Sequence, residues 1–171
     1  MRIPIIIDTD VGGDIDDAYA LAFALNSKEL DVKAIITNDK FAEERAKVAK
    51  VIINSSKKDI PIFCGMGLGN GRLIEKDLIK NFDFKPKNIQ DNLKFFERLF
   101  NNIGIYYVSI GTLSNFHYFL ENIPKSIRKV KVIMMGGSLK LDYKGREKLI
   151  AEWTKWAIQN NLKTYLAHGL R

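Results

Sequence analysis

Cysteine, histidine and long apolar runs are what these 171 residues have little of. A single cysteine, Cys64, excludes an intrachain disulfide and suits a reducing compartment, and its place at the end of IPIFC reads as core. Of the two histidines, His117 sits within NFHYFL and His168 close to Arg171; both read as surface or packing residues. No apolar run approaches the roughly 18 residues of a membrane span, and IPIII lacks the long apolar region and cleavage site of a signal peptide. A cytoplasmic protein without a membrane partner is therefore expected. Zinc-finger, RNP-like and basic-helix signatures are also absent. The formal charge of +7 is scattered through segments such as FAEERAKVAKVIINSSKK and NNLKTYLAHGLR, so it reads as solvated surface, and no nucleic-acid partner is expected. Without repeats, low-complexity tracts or a linker, residues 1–171 read as one domain, with NFDFKPKNIQ at 81–90 as a surface connection.

What is present is 46% apolar residues, 27% charged ones, and a regular alternation of short β-branched bursts with longer amphipathic stretches. The bursts IPIII, VKAIIT, IPIFC, IYYVSI and VKVIMM predict strands. The intervening stretches predict helices over Asp16 to Asn26, Phe41 to Ser56, Asn88 to Asn102, Ser114 to Glu121 and Ala151 to Leu166. This order predicts an α/β fold: a mostly parallel central sheet with helices on both faces and a Rossmann-like core. Ligands of such sheets bind beyond the carboxyl ends of the strands, where this chain places DTDVGGDIDD, NDK, GMGLGNGR, GTLSN and GGSLK.

The first of those loops carries five aspartates in ten positions, Asp8, Asp10, Asp14, Asp16 and Asp17. Carboxylates so close repel unless a cation or strong donors offset them. Oxygen-only donors with no Cys or His nearby favour a hard ion, calcium or magnesium, over zinc. A plainer reading is that Asp16 or Asp17 caps the following helix and the others are solvated.

The string Asp8-Thr-Asp10-Val-Gly12-Gly-Asp14-Ile-Asp16-Asp17-Ala18 resembles the DxDxGxDDA motif of the inosine/uridine-preferring nucleoside hydrolases, with two extra residues after Gly12. Further segments are similar to the family in the same order: IGTLSN at 110–115, VIMMGG at 132–137 and AEW at 151–153. The resemblance implies a nucleoside hydrolase-like fold and calcium-dependent hydrolysis of the N-glycosidic bond of ribonucleosides. The cofactor is Ca2+, with Mg2+ second, and the partner is a small-molecule nucleoside. It implies that Asp10 is both a metal ligand and the base for the attacking water, that Asp17 is a second ligand, and that Ile110 gives a main-chain carbonyl. Asp16, Asn38, Met135, Glu152, Trp153 and Thr154 would contact the substrate, with Asp8 and Asp14 as supporting carboxylates. Thr154 replaces a family asparagine. Plainer roles stand beside these: core packing for Met135 and Trp153, a helix-terminal acid for Glu152, a turn for Asn38, and loop bracing for Asn115.

Family members are longer, and the resemblance assigns a further aspartate ligand and a leaving-group histidine to their C-terminal half. The chain therefore reads as incomplete at its C-terminus, and an impaired homologue that keeps a metal or ribose site is the first alternative. Family members commonly self-associate, so a homo-oligomer is compatible. A second alternative is a magnesium-dependent haloacid-dehalogenase-like phosphatase, which IIIDTDVGG also resembles; there Asp8 would attack phosphate. In that pattern Gly12 stands where threonine or valine is expected.

Overall fold

In the first strand, β1 (Ile3–Thr9), successive side chains point to opposite faces and both faces are buried. Ile5 and Ile7 join one apolar cluster, and Ile6 joins the other. The computed structural model describes residues 2–102, 104–135 and 164–167. Within them the strands continue as β2 (Leu30–Thr37), β3 (Ile62–Cys64), β4 (Lys87–Asn88), β5 (Tyr106–Ser109), β6 (Lys131–Met135) and β7 (Thr164–Ala167). They form one sheet in the order β4-β3-β2-β1-β5-β6-β7, with every neighbouring pair parallel.

Parallel neighbours need crossovers, and helices supply them: α1 (Ile15–Asn26), α2 (Ala42–Ser55), α3 (Leu93–Phe100), α4 (Ser114–Asn122) and α5 (Pro124–Ile127). From β1 the chain steps outward to β2, β3 and β4, then returns to β5 on the opposite side of β1. With right-handed crossovers, that reversal puts the two sets of helices on opposite faces. Leu21 and Leu25 of α1 and Ala46, Val48 and Ile53 of α2 pack under Ile5, Ile7 and Ile35. Phe96 and Phe100 of α3 and Phe116 and Phe119 of α4 pack with Ile6, Phe63 and Tyr107 on the other face. There the Phe96 and Phe119 rings lie 4.8 Å apart, centre to centre.

The α/β class, the parallel sheet and the five expected strands are all present. Three local expectations are corrected. The helix expected over Asn88–Asn102 starts at Leu93, because Lys87–Asn88 pairs with β3 and the buried Ile89 donates its N–H to the Cys64 carbonyl at 3.0 Å. The helix expected over Ala151–Leu166 cannot extend to its predicted end, since Thr164–Ala167 pairs in parallel with β6 and satisfies that strand's outer backbone groups. The rest of that span, with Glu152, Trp153 and Thr154, lies outside the described residues, as do Gly136, Gly137 and His168. Finally, neither Asp16 nor Asp17 caps α1. Asp14 holds the N-cap position in an extended conformation, without a side-chain cap bond.

Candidate functional site

The reversal of strand order falls between β1 and β5, and the loops leaving these two strands diverge to opposite faces. Such a divergence opens a crevice at the carboxyl edge of the sheet. Here it is a cavity of about 290 Å³ lined by the acidic turn, by Ile110, Gly111 and Thr112 after β5, and by Met135 at the end of β6. The acidic turn contributes Asp10, Gly13, Asp14, Asp16 and Asp17.

Alternation along β1 also sets the fate of each acidic residue. Asp8 points to the same face as Ile6 and is fully buried. Its Oδ1 accepts from Asn38 Nδ2 at 2.6 Å and from Asn115 Nδ2 at 2.8 Å, and its Oδ2 accepts from the Tyr107 hydroxyl. Burial nevertheless outweighs the three donors and pushes the Asp8 carboxyl up to about 7. Thr9 faces the other way, where its hydroxyl accepts from the Val11 N–H at 3.0 Å and donates to Asp17 Oδ2 at 2.8 Å. That bond orients Asp17 as it enters the first turn of α1, where a carboxylate also suits the helix dipole. Burial raises the Asp17 carboxyl to about 7 as well, assisted by the neighbouring Asp10 charge and opposed by Thr9. The turn itself passes through Gly12 at φ +99°, a left-handed conformation that disfavours side chains.

Asp10, Asp14, Asp16, Asp17, Ile110 and Met135 are thus brought to one cavity. Asp8 stands behind them. Asn38, expected at the sugar, is fully buried and does not line the cavity; its amide donates to Asp8 and to the Thr112 carbonyl and accepts from the Thr112 N–H. Locked by three donors at zero exposure, Asp8 has no free face for a phosphate, which removes the nucleophile that a dehalogenase-like phosphatase needs. His117 lies on α4 beside Glu121, with Nε2 to Oε1 at 3.2 Å, and does not line the cavity.

Several participants went unread in the sequence. Asn115, expected to brace its own loop or cap the helix, reaches across strands instead: its Nδ2 donates to Asp8 and to the Thr37 carbonyl at 3.1 Å, and its Oδ1 accepts from the Met66 N–H at 2.6 Å. A tyrosine in a buried strand needs a partner for its hydroxyl, and this was the available signal for Tyr107. Thr9 carried a similar one, as a hydroxyl next to an acidic turn. Arg45 and Asp39 gave none, since the pattern of α2 reads as an ordinary amphipathic helix.

The donors at the cavity suit a hard cation in kind. The carboxylates of Asp10, Asp14, Asp16 and Asp17 and the loop carbonyls after β5 are oxygen donors, and no cysteine or histidine stands among the lining residues. In number they are a partial set, because among the described residues no group of three or more His, Cys, Asp or Glu side chains is arranged to hold an ion.

The profile of the inosine-uridine preferring nucleoside hydrolases matches residues 5–157. The chain belongs to this family. It is 29% identical over 154 residues to the non-specific ribonucleoside hydrolase RihC of Klebsiella pneumoniae subsp. pneumoniae, an alignment covering 81% of this chain and 50% of that protein. RihC of Escherichia coli O127:H6 is 28% identical with the same coverage. The chain thus spans about half the length of the curated nucleoside hydrolases it matches. Among solved structures, an inosine-guanosine nucleoside hydrolase superposes with a TM-score of 0.68 at 20% identity, over 99% of this chain and 60% of that one. A purine-preferring ribonucleoside hydrolase from Gardnerella vaginalis gives 0.63 at 19% identity, over 79% and 49%. These superpositions establish the nucleoside hydrolase fold. Among the described residues no helix is long and apolar enough to cross a membrane.

Proposed function

We propose that the acidic cavity serves metal-assisted hydrolysis of the N-glycosidic bond of ribonucleosides, with calcium as the preferred ion and magnesium second. The observation that carries this reading is the meeting of Asp10, Asp16 and Asp17 with Ile110 and Met135 around one cavity at the strand-order reversal. Asp10 and Asp17 would hold the ion with the Ile110 carbonyl, and the ion would acidify a water and grip ribose hydroxyls. Asp10 takes the proton of the attacking water. The exposed Asp16 accepts a hydrogen bond from a ribose hydroxyl, and the half-exposed Met135 packs against the sugar. Together they keep the anomeric carbon in line for attack, and charge on the ribose at the oxocarbenium-like transition state is offset by the surrounding carboxylates. Asp8 contributes from behind, through Asn38 and the Thr112 backbone. Asp14, beside Asp16, adds to the negative field of the wall. Glu152, Trp153 and Thr154 would extend the substrate contacts.

The test combines calcium titration by calorimetry with release of free base from inosine and uridine. Calcium-dependent base release that disappears in Asp10→Ala is the expected result. Calcium binding without base release from either nucleoside would sink the hydrolase reading and leave a binding site, the reading of an impaired homologue.

A further inference from the structure

Arg45 is the largest fully buried side chain in the described structure, and the function proposed above does not use it. An arginine is rarely left without solvent, because removing its charge from water costs several kcal/mol unless partners compensate. The partners here come from three different βα loops. Nη1 donates to the carbonyl of Asp10 and to that of Val11 at 3.0 Å, both in the acidic turn. Nη2 donates to Asp39 Oδ2 at 3.0 Å, in the loop after β2, and to the Arg72 carbonyl at 3.1 Å, in the glycine-rich loop after β3.

Asp39 completes the tie. Its Oδ1 accepts from the Gly71 N–H at 3.2 Å, and its own backbone is held at φ +67°, a left-handed conformation for a residue with a side chain. The glycine-rich loop lies so close that a Cβ at Gly71 would fall 1.6 Å from Asp39 Oδ2. From the other side, the Gly12 carbonyl accepts from the N–H groups of Ile74 at 2.7 Å and Glu75 at 3.3 Å. The acidic turn is therefore held through three successive carbonyls, Asp10 and Val11 by Arg45 and Gly12 by the residues that follow the glycine-rich loop.

We propose that Arg45, oriented by Asp39, is a positioning residue that fixes the main chain of Asp10 and so sets the aim of its carboxylate into the cavity. A planar fork spreads its donors over separate nitrogens and reaches carbonyls from separate loops at fixed angles, whereas a lysine offers its three donors from a single point. Carboxylates that crowd one turn push it open, and a turn pinned through its carbonyls keeps the spacing that an ion or a water requires. The consequence for ion binding rests on the function proposed above; the tie between the loops does not.

The test uses the full chain and the variants Arg45→Lys and Asp39→Asn. Hydrogen exchange is followed at the amides of Val11, Gly71, Ile74 and Glu75 and in the interiors of β1, β2 and β5, and calcium affinity is measured by calorimetry. In Arg45→Lys the four loop amides should exchange at least about tenfold faster while the strand interiors keep their rates, and calcium should bind about tenfold more weakly, the scale typical of residues that support ligands. Asp39→Asn, which keeps an acceptor for Gly71 but loses the charge, should show the same pattern more mildly, and it decides the matter if Arg45→Lys does not fold. Loop amides that exchange at the wild-type rate, or that speed up only in step with the strands, overturn the proposal. So does faster loop exchange with unchanged calcium affinity. If the wild-type chain binds no calcium, the functional reading fails, and the exchange pattern still decides whether Arg45 pins the turn.

Discussion

Asp8 and Asp17 show what burial does to neighbouring carboxyls with different partners. Both are raised from 3.8 to about 7, chiefly by burial. A carboxyl whose folded value lies above its unfolded one contributes stability that is fully present below about 4 and lost as the pH rises through about 7. For Asp8 the shift from 3.8 to about 7 corresponds to roughly 4 kcal/mol across that window. Asp8→Asn removes the titration and keeps a group of the same shape, able to accept from the amides of Asn38 and Asn115. The variant should gain on wild type by a few kcal/mol at pH 8 and keep only about a third of that advantage at pH 5, as read from denaturant unfolding at the two pH values. A difference between the two proteins that does not change with pH would show that Asp8 does not titrate in this range. Asp17 makes a prediction about binding. A cation at Asp17 must displace the proton, so calcium affinity should rise with pH between about 6 and 8 and level off above it. Calorimetry at three pH values checks this, and a flat profile would remove Asp17 from the ligands.

The elements were legible where one rule acts over several residues. Short β-branched bursts identify β1, β2 and β5, and amphipathic stretches identify α1 and α2. Legibility failed where a distant partner decides. β4 is two residues long and exists because β3 offers it a backbone to pair with. Asn115 and Tyr107 meet Asp8 from 107 and 99 positions away, and no local pattern announces such a contact. The cost of that contact can be predicted. Asn115→Ala leaves the Met66 N–H without its partner and takes one donor each from Asp8 and from the Thr37 carbonyl, which keeps the Gly65 N–H, so it should destabilise the fold by about 1–3 kcal/mol. Denaturant midpoints measure it, and a loss under half a kcal/mol would mean that water replaces the amide. The acidic turn was legible as a ligand-bearing loop because five carboxylates need an explanation. The pins that hold it, Arg45 and Asp39, were not, because a buried arginine looks like any other arginine in a helical sequence.

At the scale of the whole molecule, the site exists because the loops leaving the neighbouring strands β1 and β5 diverge. Val11 of the acidic turn and Ile110 after β5 both pack on the α1–α2 cluster, so an ion held by Asp10, Asp17 and the Ile110 carbonyl would tie the loops leaving β1 and β5 to each other. Such an ion binds the folded chain alone, since the unfolded chain does not hold these residues together. Stability should therefore follow calcium concentration, with a gain of about 2.7 kcal/mol at one hundred times the dissociation constant. In a chain of this size that gain corresponds to a rise of about 5–10 °C in melting temperature. Magnesium, which keeps its waters and demands a stricter geometry, should give a smaller rise from a shell with few protein carboxylates. Differential scanning calorimetry with calcium, with magnesium and with chelator measures all three. The rise should vanish in Asp10→Ala, and an equal rise in that variant would place the ion elsewhere on the molecule and detach calcium from the cavity at the strand-order reversal.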